Sequence, residues 1–258
     1  MKRMKRSIFL ANFRRAFTEP NFYLTVLLTA VVLLPIAANT RMYSSALEGI
    51  VSVLNGSGVF SIIICMLPAL PFAGSYAQDE NSGMLNFWTI RSGVRAYAGS
   101  QYLFSVLMGF CATFAGMLLC FFCILAGGTP FWDGMSGDSG SYSVLLGEGK
   151  LVLYLFMNLT NLALSSAIMA GVAAWFGSLV PNRMAVLAAP LVLYILLLRL
   201  IPSSTVPPYL DPSSILQGEV TMATPWATLG VKALITLIIC GILGFFAVMN
   251  IQRRQKHA

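Results

Sequence analysis

A chain of 258 residues that is 57% hydrophobic and only 10% charged, with mean hydropathy +0.79, departs from soluble domains, where about a quarter of residues are charged. Its formal charge is +7, yet the basic residues flank apolar runs rather than forming one solvated patch, which argues against nucleic-acid binding and for contact with membrane lipids at an anionic surface. All five cysteines fall within apolar runs, which speaks against a disulfide framework, and the single Cys120-x-x-Cys123 pair lacks the second half-site of a metal centre.

From the amino terminus, residues 7–17 place Ile8, Phe9, Leu10, Phe13, Ala16 and Phe17 on one side and Arg14 and Arg15 on the other. That segregation predicts an interfacial helix lying along the inner leaflet, the plainer alternative being a basic tail that only enforces topology. Glu19-Pro20 ends it, because the residue before proline disfavours helix. Six apolar runs of spanning length follow, at about 22–38, 57–77, 101–126, 151–180, 184–201 and 227–251. The first has no convincing cleavage site after it and is read as a retained helix, not a secretory signal. Pro68 and Pro71 in the second run and Pro190 in the fifth are tolerable where neighbouring helices satisfy the freed carbonyls. The expectation is an all-α membrane protein, a single transmembrane domain over residues 1–258 with six spans.

Orientation follows from the basic residues. With the amino terminus inside, Lys2, Arg3, Lys5, Arg6, Arg14, Arg15, Arg91, Arg95, Arg183, Arg253, Arg254 and Lys256 are cytoplasmic, while Arg41, Lys150, Arg199 and Lys232 are outside. This predicts a multi-pass protein of the cell membrane with both termini in the cytoplasm. Arg199 and Lys232 lie near the outer ends of their runs, where long side chains can snorkel to the headgroups.

Signs of catalysis are few. The one histidine, His257, sits in the tail, so no base accompanies a nucleophile in the apolar runs. Gly147-Glu148-Gly149-Lys150 lacks the upstream glycine and the following Ser or Thr of a phosphate loop and reads as a turn. No Asp or Glu falls in the middle of a run, which counts against a proton relay; sodium coupling through backbone carbonyls stays open, but a transporter of this kind is better expected to draw its energy from another subunit.

The most informative loop is Gln78 to Ser100. Asp79, Glu80, Asn81 and Ser82 can cap a helix, and Gly83 permits a tight turn. Met84, Leu85, Phe87, Trp88 and Ile90 then offer more apolar surface than a solvated loop needs; simple anchoring of Phe87 and Trp88 at the membrane interface is the competing account. In the fourth run Ala163, Ala167 and Gly171 recur at four-residue spacing, as do Ala170 and Ala174, so another helix can approach closely. Asn158, Thr160, Asn161, Ser165 and Ser166 add polar groups that need partners, in packing or in contact with substrate.

A basic amphipathic start, six spans and an acidic-x-x-x-Gly element after the second span, here Asp79 and Gly83 with Arg91 and Tyr97 before the third, resemble the permease subunits of type-2 ATP-binding-cassette (ABC) exporters. Related permeases commonly carry Lys just before the third span, where this chain has Gln101. The resemblance implies that residues 79–90 form a coupling helix, with Asp79, Glu80, Gly83, Met84, Leu85, Phe87, Trp88 and Arg91 meeting a separate ATP-binding subunit. It further implies a second permease chain, the same or different, and no cofactor in this chain, ATP and magnesium residing on the partner. Export of a peptide, antibiotic or lipid is the family-level expectation. A non-transporting scaffold or sensor that anchors a cytoplasmic partner is the rival, and an enzyme is third.

Overall fold

The computed structural model describes residues 2–39, 45–47, 49–51, 65–132, 142–200, 211–218, 222 and 224–257. Among these residues the protein is all-helical. Backbone amides and carbonyls have no partner in lipid, so helices that satisfy them internally are the form an apolar chain of this kind takes. The helices are α1 (Lys2–Thr18), α2 (Pro20–Asn39), α3 (Ser75–Asn81), α4 (Met84–Ser92), α5 (Val94–Ala126), α6 (Ser143–Gly147), α7 (Leu151–Leu179), α8 (Arg183–Leu200), α9 (Pro212–Gln217) and α10 (Pro225–His257). Four of them, α5, α7, α8 and α10, are long and apolar enough to cross a membrane, and a fifth span results if α1 and α2, bent by 48° at their break, count as one.

The third to sixth predicted runs therefore coincide with α5, α7, α8 and α10, and the first with α2. Much of the second, 57–64, lies outside the described residues. Its remainder is not continuous α-helix: a 3-10 turn at Leu67–Ala69 and further turns precede α3. Pro68 and Pro71 account for this, since each lacks an amide hydrogen and its ring collides with the preceding turn. Leu67, Pro68 and Ala69 are buried, so this irregular backbone is enclosed by protein rather than by lipid.

The central helix α7 packs against α5 and α10. Small residues make the approach close. A Cβ on Gly109 of α5 would fall 2.5 Å from the Ala170 Cβ of α7 and 3.1 Å from the Pro68 carbonyl oxygen, and one on Gly171 would fall 2.7 Å from the Tyr102 hydroxyl. The small-residue pattern of the fourth run thus serves packing inside this chain. Gly109→Ala should lower stability by about 1–3 kcal/mol, because Ala170 and the Pro68 backbone cannot yield. Gly171→Ala should cost less, since the atom it meets is the far end of a side chain rather than backbone. Thermal melting of the two purified variants checks the order.

The polar groups of α7 are mostly satisfied locally. Asn158 donates to the Tyr154 carbonyl at 3.0 Å and Thr160 to that of Phe156 at 2.7 Å, both one turn back. Asn161 instead reaches the Gly218 carbonyl at 3.1 Å and so ties α7 to the end of α9. The Glu148–Lys150 ion pair at 2.8 Å and the left-handed Gly149 (φ 72°) make the Gly147–Lys150 segment a turn.

Candidate functional site

The site is built where α1, α3, α4, the start of α5 and the end of α10 converge. Residues 79–90 do not form one helix. Asp79 and Glu80 belong to the last turn of α3, whereas Met84 opens α4, and Ser82-Gly83 separates them. Gly83 has φ 73° and Gly93, between α4 and α5, has φ 82°. A side chain at either position would be strained, so glycine brackets the nine residues of α4 on both sides. The expected capping role of Asp79 fails for the same reason: the residue at the α4 N-cap is Gly83, with no side-chain cap hydrogen bond.

Asp79 does something else. It is only 4% exposed and faces Arg15 of α1, whose Nη1 donates to Oδ1 at 2.9 Å and Oδ2 at 3.0 Å. The Tyr97 hydroxyl of α5 donates to Oδ2 at 2.7 Å. Charge-assisted bonds of this length are about twice as strong as neutral ones, and three of them hold one carboxylate. Arg15 also bonds Glu19 at 3.2 Å through Nε. A neutral contact runs beside this group: Asn12 donates to Ser100 Oγ at 2.9 Å, and Ser100 to the Tyr97 carbonyl. Glu80 accepts from Arg254 near the end of α10 at 3.2 and 3.3 Å. The two acids of α3 are therefore struts within this chain, one to α1 and α5, the other to α10.

The α1 surface needs a matching correction. Arg14 is exposed, but Arg15 turns into the protein, and the aromatic side is divided between surroundings. Phe9 and Phe13 remain about half exposed while their rings lie 4.9 and 6.2 Å from Phe104 of α5, and Phe17 stacks between Phe13 and Phe22. The stripe thus docks α1 on α5 as well as offering it to its surroundings.

The apolar residues of α4 divide between two surroundings. Leu85 is buried with Tyr76, Tyr97, Ala98 and Ile251, and Trp88 packs against the same cluster. Met84 and Phe87 are half exposed, Ile90 is 86% exposed, and Arg91 extends the exposed face. The structure thus brings together most of the expected coupling residues but gives them three jobs: Asp79 and Glu80 as struts, Leu85 and Trp88 as anchors, and Met84, Phe87, Ile90 and Arg91 as free surface. Gln101, placed where related permeases carry Lys, is buried and donates to Ser75 Oγ. Tyr97 and Arg254, the partners of these acids, leave no local signal in the sequence, because each lies far along the chain from its carboxylate.

Comparison of the chain with family models, with curated proteins and with solved structures returns no match. The chemistry of the site therefore speaks for itself. It is a small helix, bracketed by glycine at both ends, tied through charged and apolar contacts to several long helices, with one apolar face left exposed.

Proposed function

We propose that this chain is the membrane-spanning permease subunit of an ABC exporter, with α4 as its coupling helix. The carrying observation is the outward face of Met84, Phe87 and Ile90 on a helix whose inward side and neighbouring acids lead directly to α1, α5 and α10. Exposed apolar residues at spacings of three on a short helix fit a groove on a partner. A push on α4 from a closing ATPase would reach α5 through Leu85, Trp88 and Gly93, α1 through Asp79 and Arg15, and α10 through Glu80 and Arg254. In this reading the ATPase brings ATP and magnesium, a second permease chain completes the pathway, six spans cross the cell membrane and both termini are cytoplasmic.

Affinity purification of the tagged full chain from mild detergent should recover an ATP-binding-cassette subunit in stoichiometric amount. Recovery of a kinase or regulator with no such ATPase would favour the scaffold reading and remove this one.

The inside assignment has its own test, motivated by the twelve basic residues on one side and four on the other. Single cysteines at Ser139 and Ser204, in a background lacking the native cysteines, should react with an impermeant maleimide on intact cells. Cysteines at Ser82 and Gln255 should react only after lysis. Labelling of the Ser82 position from outside would reverse the topology.

A further inference from the structure

An ammonium inside a spanning helix is expensive, and one near a helix end ordinarily stretches outward to the headgroups. Lys232, two turns into α10, does not. It is 4% exposed, and its Nζ donates to Ser165 Oγ of α7 at 2.8 Å. The register of the two helices, which run in the same direction, shows where that ammonium has gone. Asn250 pairs with Ser178, a separation of 72 residues, and Cys240 with the Ala167 carbonyl, a separation of 73, but Lys232 pairs with Ser165 across only 67. Its ammonium therefore meets α7 five to six residues further along than its backbone does, roughly 8 Å at the helical rise, toward the middle of the helix pair.

Hydrogen-bonding capacity is unmatched there. An ammonium has three donors, and among the described residues only Ser165 accepts from this one. Thr236, one turn on, spends its hydroxyl on the Lys232 carbonyl. Next to Ser165, the Ser166 hydroxyl is buried with no partner. A buried amine with two unmatched donors, and a spare hydroxyl on the residue that follows its one acceptor, leave donors in surplus between α7 and α10, and an oxyanion is a group that would hold the amine charged and accept from it. We propose that Lys232, with Ser165 and Ser166, binds the phosphate or carboxylate of an anionic ligand between α7 and α10. The site is independent of whether an ATPase docks on α4.

The test uses the full chain in detergent, with dioleoyl phosphatidylglycerol against dioleoyl phosphatidylcholine as lipid probes and glycerol 3-phosphate as the soluble probe. Native mass spectrometry and melting temperature are the readouts. Wild type should show a Lys232-dependent preference for one anionic probe, which identifies the source as lipid or soluble. Lys232→Gln should lose about tenfold in affinity for that probe, the loss of one charged hydrogen bond, and Lys232→Arg should keep most of it. Ser165→Asp leaves the lysine in place and supplies an internal carboxylate; it should abolish probe binding while raising the melting temperature. The proposal fails if Lys232→Gln and Ser165→Asp bind every probe like wild type. It also fails if Glu219→Gln, altering the acid one residue beyond Gly218, restores the stability of Lys232→Gln, for then the lysine serves an internal ion pair.

Discussion

Asp79→Ala should destabilise the protein by about 2–3 kcal/mol, well beyond the loss of a helix cap, and should free α1 from the bundle. The substitution leaves the Arg15 guanidinium and the Tyr97 hydroxyl facing a gap in a buried setting. Breaking a fully buried ion pair costs about 3–5 kcal/mol, and the value here is set lower because the Arg15 side chain keeps 26% of its exposure. Thermal melting gives the magnitude, and a spin label at Thr18, an exposed position beside the strut, should gain mobility. The charge swap Arg15→Asp with Asp79→Arg should recover part of the loss, which neither single variant can do. Unchanged melting in Asp79→Ala would mean that the carboxylate holds nothing.

The second large effect separates the two faces of α4. Replacing Met84, Phe87 and Ile90 together by alanine removes the outward face and, with it, the half-buried sides of Met84 and Phe87, so insertion should stay at the wild-type level and stability should fall by only about 1 kcal/mol. If α4 docks on an ATPase as proposed, that association should fall by at least thirtyfold, since one aromatic hot spot alone is worth about 2 kcal/mol or more. Leu85→Ala and Trp88→Ala should behave the other way. Both remove side chains from the cluster with Tyr76, Tyr97 and Ile251, and Leu85→Ala should cost about 2–4 kcal/mol of stability. Copurification and melting, measured on all three variants, resolve the faces. If the outward triple variant still recovers its partner in full, α4 is not the docking helix.

Much of the architecture could be read from one dimension because its cause is one-dimensional. A run of apolar residues long enough to cross a bilayer must be helical along its length, and α5, α7, α8 and α10 lie within a few residues of the expected runs apart from the extensions of α5 and α10. The prolines at 68 and 71 are visible too, but a sequence reading suggests a tolerated kink where two prolines three residues apart leave a 3-10 turn and no continuous helix. The site was less legible. In sequence Asp79 suggests a local partner, a helix start, because caps lie within three residues; its partner Arg15 is 64 positions away. The two faces of α4 are hard to tell apart from the sequence, since Trp88, which packs inward, lies one turn on from Met84, which does not, and nearer to it in helical phase than to Leu85. Lys232 also left a signal. Thr228, Lys232, Thr236 and Cys240 recur every four residues on an otherwise apolar helix, which marks a stripe turned away from lipid.

The long separation between Arg15 and Asp79 bears on how the chain is made. Synthesis proceeds from the amino terminus, so α1 exists long before the carboxylate that receives it, and before Tyr97 and Phe104, which complete its seat. Until residue 104 has been translated, α1 carries exposed phenylalanines and a guanidinium paired only with the nearby Glu19, and the lipid surface accommodates both. Docking of α1 is thus a late event of biogenesis, gated by ribosome progress through the start of α5. A nascent chain arrested near residue 90 should keep α1 open to protease, and one arrested some forty residues past Phe104, far enough for α5 to leave the ribosome, should not.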